Sequence, residues 1–111
     1  MYLVVELDER AMNGGSLALE DPDDFRSFKV IAPESAVGSD SQVGRVLKSY
    51  GRLDDEASFY ILPTVLIELA GERAEVPEWL QSLDDMIAFA QARGWVDDTG
   101  AIQAHIEARG A

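Results

Sequence analysis

The sequence predicts one α+β domain over residues 1–111, in which a small sheet of about four strands has two or three helices packed on one face. Three observations support this fold class. The length suits one domain and is too short for two. The composition, 47% hydrophobic and 27% charged, is typical of a chain that buries a core. Segments with strand and helix character follow one another without the strict alternation of a βαβ fold.

The first third of the chain predicts a hairpin, a short helix and a second buried strand. Residues 2–7 are apolar and β-branched, as in a strand, and residues 16–20 can pair with them after a glycine turn. Asp21 and Pro22 match a helix start, because Asp caps a first turn and Pro suits the first helical position. We therefore expect one or two helical turns there. Residues 28–33 have the composition of a buried strand.

The middle of the chain predicts a helix, a loop and a strand. Residues 39–42, Ser-Asp-Ser-Gln, match a capping box, apolar residues follow at helical spacing, and Gly51 stands where a left-handed cap is expected. Residues 54–56 are acidic and predict a solvated loop. Residues 58–62 have strand composition, and the next residue is a proline, which cannot donate to a sheet ladder. Residues 64–70 are compatible with a short helix ended by glycine, although periodicity alone does not decide this.

The last third contains the clearest helix. Residues 78–93 carry one apolar stripe, and Gly94 follows as a terminator. Residues 97–100 predict a turn. Residues 102–108 then alternate between apolar and polar side chains, which predicts a half-exposed strand with Gln103, His105 and Glu107 on its polar side. A helix is the alternative for this segment, because Ala, Gln and Glu favour helices.

The charge is strongly negative. The chain has 21 acidic and 9 basic residues, for a net charge of −12. Such a field repels nucleic acid and attracts cationic surfaces. DNA mimicry would need carboxylates in rows at phosphate spacing. Instead they form separate clusters at turns and helix starts, which capping and solubility alone produce; these clusters lie at residues 20–24, 54–56, 84–85 and 97–98.

Cellular location is predicted from three absences in the sequence. There is no cysteine, so disulfides, thiolate zinc sites and cysteine nucleophiles are excluded. The first residues lack the basic segment and the cleavage site of a secretory signal. The longest apolar stretch, residues 57–70, is interrupted by Pro63 and Glu68 and is too short to span a bilayer. We predict a cytoplasmic protein that binds neither membranes nor nucleic acid.

Motifs for cofactor and metal chemistry are not recognisable. Neither phosphate-binding glycine motif is present. An EF-hand with Gly100 at loop position 6 would place Trp95 and Ile106 at ligand positions, and neither can bind a cation. The chain has one histidine, which excludes an iron site of two histidines and one carboxylate. No serine lies in a nucleophile elbow. The sequence therefore predicts no cofactor and no metal site.

Five residues are weak candidates for a functional site. Glu107 could support His105 as a general base, although a solvated histidine is the simpler interpretation. Trp79 and Trp95 bracket the long helix, where they would pack its two ends or contact a ligand or partner. Gln103 shares the polar side of the final strand with His105. We treat the first pair as candidate catalytic residues and the other three as candidate contact residues.

The tail of the chain resembles a group of short, acidic actinobacterial proteins. The resemblance rests on Gly94-Trp95-Val96-Asp97, the following glycine turn and the run from Ile102 to Glu107. Proteins of this group similarly end with G-W-L/V-D and I-Q-A-H-I/V-E. The similarity is clear over about the last third. It implies an actinobacterial origin and no particular mechanism.

Three classes of function are compatible with these observations. We favour a non-catalytic accessory or protein-interaction domain that acts as a homodimer or with a protein partner, and we consider an enzyme less well supported. The first alternative is a small enzyme or ligand-binding domain whose pocket uses His105, Glu107 and aromatic side chains. The second is an acidic partner of a basic protein, acting as a DNA mimic.

Overall fold

The structure is a computed structural model that describes residues 1–8, 10–12, 14–33, 42–54 and 58–108. Within these residues, six strands form one mixed sheet in the order β2-β1-β3-β6-β5-β4. Strands β1, β3 and β6 are parallel to one another, and the remaining pairs are antiparallel. The strands are β1 Tyr2–Leu7, β2 Gly15–Glu20, β3 Lys29–Ala32, β4 Arg52–Leu53, β5 Ser58–Ile61 and β6 Ile102–Ala108.

Three α-helices occur in the described residues, and two of them begin with a proline. Proline suits a first helical position because the N–H that it lacks would have no partner inside the helix. The residues before them, Leu62 and Val76, are extended, which is the conformation that a following proline favours. The helices are α1 Gln42–Tyr50, α2 Pro63–Ala70 and α3 Pro77–Ala92, with a 3-10 helix at Gly71–Glu75.

The hydrophobic core lies on one face of the sheet. Alternate strand residues form the apolar side, and the buried residues of all three helices belong to the same core. The helices therefore cover this face. The sheet contributes Leu3, Val5, Leu17, Val30, Ala32, Phe59, Ile61, Ile102, Ala104 and Ile106, and the helices contribute Val43, Val46, Leu47, Leu66, Trp79, Leu83 and Ala90.

The opposite face of the sheet carries mostly polar and partly exposed side chains, with Val4 buried among them. The strand registers place one row of neighbours across it. Because directly paired residues point to the same side of a sheet, this row brings the only histidine beside a lysine and a serine. The row is Glu20, Tyr2, Lys29, His105 and Ser58.

The α+β fold class is confirmed, whereas the number of strands was predicted too low. The structure has six strands in place of about four. The strand that was missed, β4, has two residues and pairs through Arg52 with Tyr60. A segment of two residues is too short to show an alternation of apolar and polar side chains. The final segment is a strand, so its helical alternative is wrong. Residues 63–70 form the helix that periodicity left undecided.

The helix predicted at Asp21 is a turn. Asp21 has a left-handed backbone with φ 50°, whereas a residue that caps a helix start is extended. The amide of Asp24 donates to the carbonyl of Asp21 at 3.1 Å, and the chain then continues without helical structure to β3. Residues 39–41 of the predicted capping box and residues 55–56 of the predicted loop lie outside the described residues.

Gly51 was predicted to end α1 with a left-handed cap, but the structure requires a glycine there because of a close contact. It is not among the described glycines with a positive φ. A Cβ atom at this position would lie 2.2 Å from the carbonyl oxygen of Tyr60 and 2.8 Å from the ring of Phe59. Strand β5 therefore passes so close to the end of α1 that only glycine fits.

In the part of the chain that the structure describes, no helix combines the length and the apolar character needed to cross a membrane.

Candidate functional site

The polar side of β6 carries the candidate catalytic residues, but the structure does not join them. The ammonium of Lys29 lies 3.3 Å from the carboxylate of Glu107, in the strand next to it. The imidazole of His105 is exposed and makes no hydrogen bond or ion pair with any described residue. A catalytic histidine is normally oriented by a hydrogen-bonded carboxylate. Glu107 is paired with Lys29 and does not supply that hydrogen bond.

Gln103 connects β6 to the segment that follows α3. Its side-chain Nε2 donates to the hydroxyl of Ser58 at 3.2 Å, and its backbone N–H donates to the carbonyl of Trp95 at 2.7 Å. His105, Gln103 and Trp95 consequently line one shallow concavity of about 280 Å³, together with Phe28 and Ser58. The structure thus brings together three of the residues singled out from the sequence.

Trp79 lies apart from these residues. Its side chain is 4% exposed, and its indole N–H donates to the carbonyl of Pro22 at 2.9 Å. Its ring is 6.0 Å from that of Phe25, measured between centroids. The first turn of α3 is thereby attached to residues 22–25. Trp79 has the packing role that was one of its two interpretations, and it does not line the concavity beside His105.

Trp95 is exposed and belongs to a small group that we call the aromatic surface, consisting of Phe89, Arg93 and Trp95. Phe89 is 54% exposed and Trp95 is 43% exposed. Their rings meet edge to face with centroids 6.1 Å apart. The guanidinium of Arg93 lies 4.6 Å from the centroid of Phe89 and 5.8 Å from that of Trp95. The three side chains hold one another in place at the C-terminal end of α3.

Sequence reasoning missed Phe89 and Arg93 as surface residues. The apolar stripe of α3 runs through Leu83, Met86 and Ala90 towards the core, and Phe89 lies outside it. An aromatic residue off the apolar stripe of an amphipathic helix is the pattern that would have identified this position. Arg93 stands one helical turn after Phe89, where it can reach the ring.

A groove adjoins the aromatic surface. It has a volume of about 360 Å³, which is within the range of small-molecule sites. Its lining includes residues of α3 and of the segment 25–28, together with Trp95 and Gln103. Arg26 borders the groove and forms no ion pair with the described residues. The apolar lining residues include Phe25, Phe28, Met86, Phe89 and Ile102.

A hydrogen-bonded turn positions Trp95 and the start of β6. The carboxylate of Asp97 accepts a hydrogen bond from the Thr99 hydroxyl at 2.6 Å, from Arg52 at 2.8 Å and from the backbone amides of Ala101 and Thr99. These donors, with the Thr99 hydroxyl first, hold the pKa of Asp97 well below its usual range. The bond to Asp97 also raises the pKa of Arg52. Both groups stay charged at neutral pH and serve the structure rather than proton transfer.

The described residues include no group of three or more His, Asp or Glu side chains placed to hold a metal ion. No family model, curated protein or solved structure matches the chain. The actinobacterial origin inferred from the tail and the cytoplasmic location therefore stay predictions.

Proposed function

We propose that this chain is a non-catalytic protein-interaction domain and that the aromatic surface is its contact site. The observation that carries the proposal is the exposure of Phe89 and Trp95, locked edge to face under Arg93. Aromatic residues and arginine are enriched in protein interfaces and dominate their energetic hot spots. Rings that are already fixed lose little conformational freedom when a partner covers them.

The expected partner has an apolar patch and a carboxylate. Covering one large apolar side chain stabilises a complex by about 1.5–3 kcal/mol for full burial, and Phe89 and Trp95 each have roughly half of that still to gain. Arg93 forms no ion pair with the described residues. A carboxylate on the partner would give the Arg93 guanidinium the oppositely charged neighbour that it does not have among the described residues.

The arrangement around His105 supports a non-catalytic function. Its imidazole has no orienting carboxylate among the described residues, since Glu107 pairs with Lys29. A base without such support is poorly fixed for proton transfer. The side chains of Phe89 and Trp95, by contrast, form an organised apolar contact.

Photo-crosslinking at position 89 tests the proposed function. Phe89→p-benzoylphenylalanine, expressed in the organism that encodes the chain, should yield one covalent adduct whose partner is identified by mass spectrometry. The adduct should be lost when Trp95→Ala is added, because that change removes half of the contact site. The control is the same replacement at Glu68, an exposed residue of α2. No adduct at position 89, or equal adducts at positions 89 and 68, would overturn the proposal.

Binding of a small carboxylate with an apolar body is a second candidate function. The specific observation is Arg26, which borders the apolar groove without an ion-pair partner among the described residues. The probe is 4-phenylbutyrate, and binding is measured by isothermal titration calorimetry. Arg26→Gln should weaken binding about 10-fold, as expected for loss of a charge-assisted hydrogen bond. Arg10→Gln, a change at another exposed arginine, should leave it unchanged. Equal affinities of the two variants would dismiss this candidate.

A further inference from the structure

We infer that the partner of the aromatic surface is a second copy of this chain, an inference that rests on the proposed function. The two α3 helices pack antiparallel about a twofold axis at Phe89. Asp85 of each copy then faces Arg93 of the other.

The first support for this dimer is the spacing of an acid, an aromatic residue and a base along α3. Asp85, Phe89 and Arg93 follow one another at intervals of four, so they lie on one side of α3. In a twofold interface, residue i contacts residue j and residue j contacts residue i. With the axis at position 89, the residue four places before Phe89 meets the residue four places after it. The ion pair consequently forms twice.

The second support is that Asp85 and Arg93 are opposite charges without partners among the described residues. Asp85 accepts a hydrogen bond from Gln81 at 3.1 Å, and the described residues offer it no cation within ion-pair distance. Arg93 likewise has no carboxylate within ion-pair distance among the described residues. One acid and one base on the same helix side are each without an opposite charge, and antiparallel pairing matches both at once.

The side chains around Phe89 permit close approach of two helices. Ala92 is exposed and lies one turn after Phe89 on the same side of α3. A small residue there allows an interaxial distance of about 8–10 Å. Because α3 ends at Ala92, an axis at Phe89 overlaps the two helices over residues 86–92, which is about 10 Å of helix. A contact this short, extended by Arg93 and Trp95, is small even for a weak interface, so we expect a dissociation constant on the order of 100 μM.

Disulfide trapping tests the axis directly, because the chain has no cysteine of its own. Phe89→Cys places the two thiols opposite each other across the twofold axis. Gln81→Cys, the control at another exposed position of α3, places them about 24 Å apart along the helix axis. Under mild oxidation the Phe89→Cys variant should form covalent dimers at least 10-fold faster. Equal rates would overturn the inference.

A charge swap tests the pairing independently by sedimentation equilibrium. Asp85→Arg and Arg93→Asp should each raise the dissociation constant about 10-fold, and the double variant should return it to within about 3-fold of the parent value. Asp84→Arg and Arg45→Asp are the charge-matched controls at other exposed positions. Arg93→Lys, which keeps the charge, should stay close to the parent.

The outcomes separate this inference from the proposed function. A chain that stays monomeric at millimolar concentration overturns the dimer. If a different protein is then crosslinked at position 89, the proposed function stands. A dimer in which the swapped variants behave like their controls overturns the Asp85–Arg93 pairing and the axis that requires it.

Discussion

Arg52 donates a hydrogen bond to Asp97 over 2.8 Å, which ties the edge strand β4 to the turn that precedes β6. The two residues are separated by 45 positions in the chain. Strands β4 and β6 both pair with β5, so the contact joins segments on either side of that strand. It also fixes the turn after Trp95, and thus the aromatic surface.

Asp97→Asn should lower the melting temperature at neutral pH. It should also make the melting temperature fall less steeply as the pH is lowered. The folded-state pKa of Asp97 is depressed, so its contribution to stability is fully present above the ordinary carboxylate pKa of 3.8. This contribution is lost progressively as the pH falls below that value towards the folded-state pKa. Thermal unfolding followed by circular dichroism should show parent and variant converging in strong acid.

Asp98→Asn is the control for the Asp97 variant. Asp98 is the exposed neighbour in the same turn. Its replacement should leave the melting temperature at pH 7 within about 1–2 °C of the parent, as for most surface changes. A loss as large as that of Asp97→Asn would contradict a specific role for the Arg52 contact.

Gly51→Ala should destabilise the fold by about 3 kcal/mol, because a Cβ atom 2.2 Å from the Tyr60 carbonyl forces two elements apart. Gly94→Ala is the matched comparison. Gly94 has φ 79° and open space around it, so its replacement costs about 1 kcal/mol through backbone strain alone. Urea unfolding measures both variants. The reverse order of the two losses would show that the end of α1 can move away from β5.

The contrast between Gly51 and Gly94 shows what can be predicted from the sequence. A glycine after a helix predicts a left-handed cap, and Gly94, which follows α3, has a positive φ of 79°. Gly51 follows the same local pattern but serves a contact with a strand that is distant along the chain. Asp21 and Pro22 similarly match a helix start, yet the indole of Trp79 binds the Pro22 carbonyl and the N-terminal ammonium binds the Asp24 carbonyl. Contacts with distant residues decide both segments.

The candidate site was predictable to the extent that it depends on periodicity. Alternation in residues 102–108 placed Gln103 and His105 on one side of a strand, and the structure confirms this. The pairing of Glu107 with Lys29 depends on the parallel register of β3 and β6, which periodicity does not determine. The two tryptophans are equivalent in sequence because they bracket one helix. Only the packing distinguishes the buried Trp79 from the exposed Trp95.

Trp79→Phe should lower the free energy of unfolding by about 1–3 kcal/mol, since it leaves the partly buried Pro22 carbonyl without its donor. Trp95→Phe should change it by less than about 0.5 kcal/mol, because that ring is largely exposed. Urea unfolding, followed by the fluorescence of the remaining tryptophan, measures both. Equal losses would contradict the distinction between a packing residue and a contact residue.

Salt should strengthen the proposed dimer at low ionic strength. Each copy carries a net charge of −12, and the molecule extends 36 × 29 × 26 Å. The screening length is about 30 Å at 0.01 M and about 8 Å at 0.15 M, so repulsion between two copies is felt at the lower salt and largely screened at the higher. The exposed Asp85–Arg93 pairs lose at most about 1 kcal/mol each to screening.

We therefore expect the dissociation constant to fall at least 10-fold between 0.01 and 0.15 M salt, as measured by sedimentation equilibrium. Asp84→Arg should reduce this dependence, because it replaces one negative charge of each copy with a positive one without touching the paired residues. A dimer that weakens steadily with salt would mean that attraction between opposite charges dominates association. In that case the apolar contact at Phe89 could not be the main source of the binding free energy, since burial of apolar surface is not weakened by simple screening.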